Sequence, residues 1–569
     1  MAIVVVVAGS YFGYQQLSDD SCSGSIRLTV AATPEIAPAI DQVAQRWVQD
    51  GANVDGTCVA VAVEDVNSAT MAAAVAGEHK VQLAGVGTAA QAVKVPDLWI
   101  PDSSTWILRL KSEAPGFVPS DSKPIAQSPV VLAMPEPVAK TMGWPNEKLG
   151  WAQLLPQIMK NTRLNTGIAN PQRDAAGLSG LLALGQAAGA GDKGQQTKVQ
   201  ALQRLATKAS NLRDELIENF PRSADPTDIG SSLSAAPISE QNVVAYNAAK
   251  PPVPLAGLYL EPSPMPLDYP FAVMPETDLP KQQAAAGLRA QLSSGTFKNA
   301  LGAAGLRAPD GSFGSGFARP LGAPDASPPA SNEVGGNGEN GGTAAAGFDA
   351  SALSQVIGSW TAITQPGRVL AVFDVSGSMN TKVPTANDQT RAAVTRKAAA
   401  AGLSMFSEKW AVGVWLFSTD MVGSRPWKEI VPITPLASGR PQLQDSISQI
   451  VPKEDGDTGL YDTVLAAYKE VKRTWEPGKV NSVILFTDGK DEGSKIKIDQ
   501  LKAQLKQLND PKEPVRLVII GIGDQVDRNE LEEAVRETPA GGVFVTKDPA
   551  KMSTIFVEAI GRRTGAAGS

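Results

Sequence analysis

Apolar runs of strand length alternate with segments of helical period along most of this chain, and one tract lacking both patterns splits the alternation in two. From residue 25 the runs "RLTVAAT", "CVAVAVEDV" and "DLWIPDSSTWI" are separated by helix-length segments such as "EIAPAIDQVAQRWVQD". Strands separated in this way imply parallel β/α units. Between Ala308 and Phe348 the sequence becomes "APDGSFGSGFARPLGAPDASPPASNEVGGNGENGGTAAAGF", a composition that cannot bury a core. Its most flexible part, about 25 residues, spans roughly 25 to 30 Å as a free chain and reads as a tether. From Trp360 the alternation resumes through "RVLAVFDV", "WAVGVWLFS", "NSVILFTDG", "VRLVIIGIG" and "GVFVTK", each followed by a helix, with a last helix from Pro549 to Arg562. These strands are apolar throughout, as parallel strands covered on both faces are. The expected class is therefore α/β, with an N-terminal segment 1–24, a first domain 25–307, a Gly/Pro/Ser-rich linker 308–349, and a doubly wound second domain 350–569. A length of 569 residues requires more than one core in any case.

The net charge of −7, without a long basic run, argues against a nucleic-acid partner. The opening "MAIVVVVAGSYFGYQQL" is apolar, shorter than the roughly 20 residues that span a bilayer, and lacks a basic start. It reads as the trailing half of a membrane anchor, with a buried or frayed terminal strand as the alternative; the polar "SDDSCSGS" that follows suits a membrane exit. Cys22 and Cys58, the two cysteines, each immediately precede a strand-like run. Neighbouring parallel strands would bring them together as a disulfide in an exported protein; the other reading is two unpaired thiols in a cytosolic one. His79 is the one histidine, which removes His-dependent triads and most zinc sites.

The segment "AVFDVSGSMN", residues 371–380, is an apolar strand that stops in Asp374, Ser376 and Ser378. Carboxyl ends of parallel strands are where ligands bind in such sheets. Thr458, in "DGDTGLYDT", and Asp488, in "LFTDGKDEG", fall on the same rim. Two carboxylates and three hydroxyls make an all-oxygen donor set, suited to Mg2+ with Mn2+ or Ca2+ as alternatives. The bland reading is a strand end whose Asp and Ser cap the next helix, but capping does not require Thr458 and Asp488 as well. Asp455, Asp457, Asp491 and Glu492 read as a solvated acidic rim. The pattern Asp-x-Ser-x-Ser, then Thr, then Asp resembles the metal-ion-dependent adhesion site of the von Willebrand factor A family over about the last 200 residues. The resemblance implies Ser376 and Ser378 as direct ligands, a conformation-sensitive Thr458, Asp374 and Asp488 holding waters, and an acidic side chain from a partner completing the shell.

The first domain resembles bacterial extracellular solute-binding proteins of the type 2 periplasmic-binding fold. The segments carrying this are "LTVAATPEIAPAI", "VPDLWIPDSSTWI", "PIAQSPVVLAMP", "WAQLL", "IANPQRDAAGLSGLLAL", "ISEQNVVAYN" and "LDYPFAVM". The resemblance implies two lobes closing on an anion or small polar solute, held by loop hydroxyls, backbone amides and helix starts. Thr33, Ser103, Ser104, Ser128 and Ser179 are the candidate contacts, each with capping or turn formation as the alternative. "GVGTAA", residues 85–90, fits a dinucleotide fingerprint only by letter, since the tight βαβ unit and ribose-binding acid are missing.

These readings combine into a non-enzymatic, membrane-anchored protein on the extracellular face of a bacterial cell membrane. It is expected to bind a protein or matrix partner through a metal and an acidic residue. The alternatives are the solute receptor of an ABC-type importer, or a co-factor of a metal-chelatase or ring-ATPase system, whose ATPase would be separate because no phosphate-binding G-x-x-x-x-G-K-[ST] loop occurs here.

Overall fold

The computed structural model describes residues 22–548 except 89–92, 148, 161–163, 190, 262, 328–349, 365, 478, 511–512, 524–525, 539–540 and 547. The anchor reading of the first residues, the last expected helix and the core of the linker therefore lie outside the described residues. Two lobes make up the first domain. Lobe 1 carries β1 (Ser25–Ala32), β2 (Asn53–Val54), β3 (Thr57–Asp65), β4 (Leu98–Ile100) and β10 (Ala272–Val273) in the order β10-β4-β1-β3-β2. Lobe 2 carries β5 (Val130–Pro135), β8 (Ala236–Ser239) and β9 (Leu255–Leu258) in the order β8-β5-β9, with a small pair of β6 (Ile168–Ala169) and β7 (Ala209–Ser210). The chain crosses between lobes twice, and the crossing segments pair antiparallel through Pro124 with Pro270 and Ser128 with Leu267.

β1 and β3 run parallel with Ser25 opposite Cys58, the second residue of β3, and Cys22 lies three residues ahead of Ser25. Cys22 and Cys58 form a disulfide with Cα atoms 5.3 Å apart. The helices that matter for the sites are α1 (Ala37–Gln49) and α2 (Ser104–Glu113) in lobe 1, then α3 (Ala175–Ala187), α4 (Gly191–Thr207) and α5 (Arg213–Glu218) in lobe 2. Residues 308–327, which composition assigns to the tether, pack on this domain. Arg307 donates to the carbonyls of Gly311 and Pro324 and lies over the stacked rings of Phe313 and Phe317, and Ala323 and Ser327 are buried. One buried cation and two aromatic rings organise a segment whose average composition is that of a linker.

Helix α6 (Ala350–Thr364) precedes the second sheet, yet its apolar stripe Leu353, Ile357 and Trp360 is buried against the first domain. The spacing of those residues places them on one helical face, and that face needs a partner. The second domain is a six-stranded sheet among the described residues, in the order β15-β14-β11-β16-β17-β18: β11 (Gly367–Asp374), β14 (Ala411–Val422), β15 (Arg425–Pro435), β16 (Val480–Thr487), β17 (Arg516–Ile522) and β18 (Gly542–Thr546). A short pair, β12 (Lys382–Val383) and β13 (Gln389–Thr390), leads into α7 (Arg391–Met405). β15 is antiparallel to β14 across a tight turn at Gly423, whose φ of +56° suits glycine. The sequence reading expects a helix after "WAVGVWLFS"; the turn "VGSR" instead returns the chain as an edge strand. Helix α8 (Leu460–Arg473) buries Leu460, Val464, Ala467, Tyr468 and Val471 on the sheet, a helical apolar face with the charged residues outward.

Candidate metal centre

The site is built at the carboxyl ends of β11 and β16, which are parallel neighbours with Phe373 opposite Phe486. Strand pairing therefore sets Asp374 beside Thr487 and brings Asp488 to the loop after β11. Asp374 is fully buried; one carboxylate oxygen accepts the Ser376 amide at 2.8 Å and the other accepts the Thr487 hydroxyl at 2.7 Å. The Ser376 and Ser378 hydroxyls lie 3.1 Å apart, and Ser378 donates to Asp488 at 2.7 Å. The other Asp488 oxygen accepts from Arg391 at 2.8 Å, in an ion pair whose acid is buried. Thr458 is buried on the loop entering α8, with its hydroxyl 3.3 Å from where a side chain at Gly489 would begin. Asp374, Ser376, Ser378 and Asp488 thus converge at one rim, with Thr458 beside Gly489, the residue that follows Asp488.

Burial, with Asp488 as a second cause, pushes the Asp374 carboxyl up to about 7. Removal from water is the main reason, since Arg391 already pairs with the neighbouring Asp488. Among the described residues no cluster of three or more His, Cys, Asp or Glu is arranged for a metal. A cation here must therefore draw on hydroxyls as well as carboxylates, which is the donor set of a hard divalent ion such as Mg2+. The residues fit such an ion: Ser376, Ser378 and Thr458 supply neutral oxygens, and Asp374 and Asp488 supply the charge.

Pattern reading misses Arg391 and Thr487, and it reads the half-buried Asp491 as part of a solvated rim. Arg391, the first residue of α7, carries no motif signal. Thr487 is visible only as the polar end of an apolar strand. Asp491 accepts the Leu460 and Tyr461 amides at 2.9 and 3.2 Å and so caps α8 below Thr458, a structural task within the acidic rim. Asp455, Asp457 and Glu492 are exposed.

The candidate solute contacts of the first domain do not form a comparable constellation. Ser103 caps α2 by accepting the Thr105 amide at 3.2 Å, Ser128 accepts the Gln241 amide at 3.0 Å, and Ser179 donates to the Met265 carbonyl at 2.5 Å. The Ser104 amide donates to Asp268 at 2.7 Å. Thr33 is buried, and its hydroxyl has no hydrogen-bond partner among the described residues. The loops between the lobes are occupied by Glu35, Asp102, Asp174 and Arg213 instead. Burial, with Glu35 and Asp174 adding to it, holds Asp102 up at about 6; burial also raises Asp268 to about 6.

Comparison with known families agrees with both halves. Residues 28–307 match the model of the bacterial extracellular solute-binding protein family, and residues 369–558 match that of the von Willebrand factor type A domain. The chain joins a solute-binding-protein domain to a von Willebrand factor A domain. Two uncharacterised proteins of Mycobacterium tuberculosis, from strains CDC 1551 / Oshkosh and H37Rv, are each 25% identical over 579 residues, covering 95% of this chain and 79% of theirs. Among solved structures, the sulfate-binding protein SubI of M. tuberculosis H37Rv is 20% identical, covering 51% of this chain and 88% of its own, with a TM-score of 0.34. The von Willebrand factor type A protein of Catenulispora acidiphila is 19% identical, covering 35% and 42%, with a TM-score of 0.28. Proximal thread matrix protein 1 of mussel byssus, with zinc in its adhesion-site motif, is 19% identical, covering 34% and 47%, with a TM-score of 0.28. The match thus spans less than half of either von Willebrand factor A structure. Both matched domains are of binding families, and the extracellular family of the first points to a periplasmic or extracellular location. Among the described residues no helix is long and apolar enough to cross a membrane.

Proposed function

We propose that the von Willebrand factor A domain binds a protein or matrix partner through a divalent cation held by Asp374, Ser376, Ser378, Thr458 and Asp488, with Mg2+ the best-suited ion. The observation that carries this reading is the convergence of two buried carboxylates with the hydroxyls of Ser376 and Ser378 at the junction of β11 and β16. When bound, the ion supplies an uncompensated positive field at the rim. Arg391 neutralises Asp488, and the serines add no charge, so a carboxylate offered by a partner completes the balance. Asp374 fixes the loop through the Ser376 amide, and Thr487 in turn orients Asp374. The protein acts without catalysis, on the outer side of the membrane, anchored by its apolar N-terminal residues.

The test is calorimetric titration of Mg2+, Mn2+ and Ca2+ into the full chain, beside Asp374→Ala and Ser376→Ala, followed by acetate as a minimal carboxylate. The expected result is saturable, one-site metal binding that both variants lose, with acetate heat only in the metal-loaded form. Binding that survives in both variants would sink the assignment of these residues.

A further inference from the structure

The two lobes of the first domain are joined by contacts that a solute-exchanging cleft would have to break on each cycle. Arg213, the first residue of α5 in lobe 2, sits with its side chain 16% exposed. Its Nε donates to Asp174 of lobe 2 at 2.7 Å, while Nη2 donates to Asp102 of lobe 1 at 2.9 Å and Nη1 faces Glu35 of lobe 1 at 3.5 Å. The carboxylates are themselves oriented. Asp102 accepts from the Trp106 indole at 2.8 Å, Asp174 accepts the Gly177 amide at 2.7 Å, and Glu35 accepts from the Tyr269 hydroxyl on a crossing segment at 3.1 Å. One guanidinium thus bridges loops at the carboxyl ends of β1 and β4 to those after β6 and β7.

A second element spans the same lobes. Helix α6 packs against α2 of lobe 1 and against α3 and α4 of lobe 2. Leu353 and Ile357 join Leu178 and Leu182 of α3, with Leu108 of α2 and Ala84 completing the cluster, while Trp360 is buried among apolar residues of α3 and α4. The last turns of the helix are also fastened: Gln172 donates to the Thr361 hydroxyl at 2.8 Å, and the Trp360 indole donates to Asn170 at 3.1 Å. Asn170 and Gln172 lie on the loop that ends in Asp174, so strap and ion cluster share a segment. Only residues 365–366 separate α6 from β11. The Gln203 amide of α4 additionally donates to the Ser404 carbonyl of α7 at 3.2 Å.

We propose that the first domain is permanently closed, with Arg213 acting as an internal ligand between its lobes and α6 as a strap across both. The domain then works as a rigid platform that fixes the von Willebrand factor A domain in place, not as a shuttle that opens and closes around a solute. Opening would separate Arg213 from Asp102 and Glu35, leaving those two carboxylates of lobe 1 without their cation while Asp174 alone keeps it. It would also strip the Leu353–Ile357–Trp360 face from one lobe.

The test uses the full chain, its Arg213→Ala and Arg213→Lys variants, and a Trp360→Ala variant that leaves the ion cluster intact. Backbone hydrogen exchange at residues 102–105 and 172–175 and the scattering radius of gyration are read for each. The wild type is expected to show slow exchange at both segments and a single compact radius. Arg213→Ala is expected to exchange at least tenfold faster at both, with its first-domain melting point lowered by roughly 10 °C. Millimolar methylguanidinium should restore part of that loss in Arg213→Ala and change nothing in the wild type. If Arg213→Ala does not fold, Arg213→Lys and Trp360→Ala should still show faster exchange in the same two segments. Exchange in the wild type as fast as in the variants, or a second, larger species in its scattering, would overturn the proposal.

Discussion

The metal-free von Willebrand factor A domain should lose stability as pH rises, and Mg2+ should abolish that loss. The cause is Asp374, whose carboxyl is shifted by burial and by Asp488 from an ordinary 3.8 to about 7. Between those values the unfolded chain is ionised at this residue while the folded one keeps its proton, so folding takes up a proton. Stability from this group is complete below pH 3.8 and declines as pH rises, with the full loss reached above 7. At about 1.36 kcal/mol per pH unit, the two units between pH 5 and the folded value amount to about 3 kcal/mol. For a domain of this size that corresponds to roughly 6 to 12 °C in melting temperature between pH 5 and pH 8. Mg2+ replaces the proton, so its affinity should rise with pH across the same window and its presence should flatten the profile. Scanning calorimetry of the full chain in EDTA and in saturating Mg2+, at pH 5 and 8, reads both effects, with Asp374→Asn as the control that cannot ionise. Equal pH slopes for the wild type and Asp374→Asn in EDTA would refute the reasoning.

Arg391→Gln removes the cation from the buried Asp488 carboxylate, so the metal-free domain should lose about 3 kcal/mol while Mg2+ binds more tightly, by about tenfold, in calorimetry. Gly377→Ala adds a Cβ that would stand 2.6 Å from the Glu454 carbonyl oxygen, forcing the Ser376–Ser378 loop outward. Denaturant melts should show a loss of about 1 to 3 kcal/mol, and calorimetry a weaker metal site. Cys58→Ser opens the bridge to Cys22 across a sequence separation of 36, which should lower first-domain stability by about 3 to 4 kcal/mol and make its melting insensitive to dithiothreitol.

The residues of the candidate metal centre could be picked out in the sequence because each sits at a position that local pattern defines. Asp374 ends an apolar strand, Ser376 and Ser378 follow at alternate positions, and Asp488 ends another apolar strand. Once parallel pairing puts β11 beside β16, these residues have to share a rim. The same logic divided the chain into two α/β domains, because the period of apolar residues is a property of sequence alone. What lay beyond it were contacts between segments distant in the chain. Arg391 looks like any basic residue at a helix start until folding sets it on Asp488, 97 positions away. Ser103, Ser128 and Ser179 were spent on amides and a carbonyl, while Arg213 entered the space between the lobes from a segment without any motif. Helix α6 shows the division most directly: its stripe of Leu353, Ile357 and Trp360 was written in the sequence, which determined that the helix must be covered on one side. Only the tertiary structure decided that the cover is the first domain and not the sheet that follows two residues later, because burying that stripe depends on which apolar surface is left open when both lobes have folded.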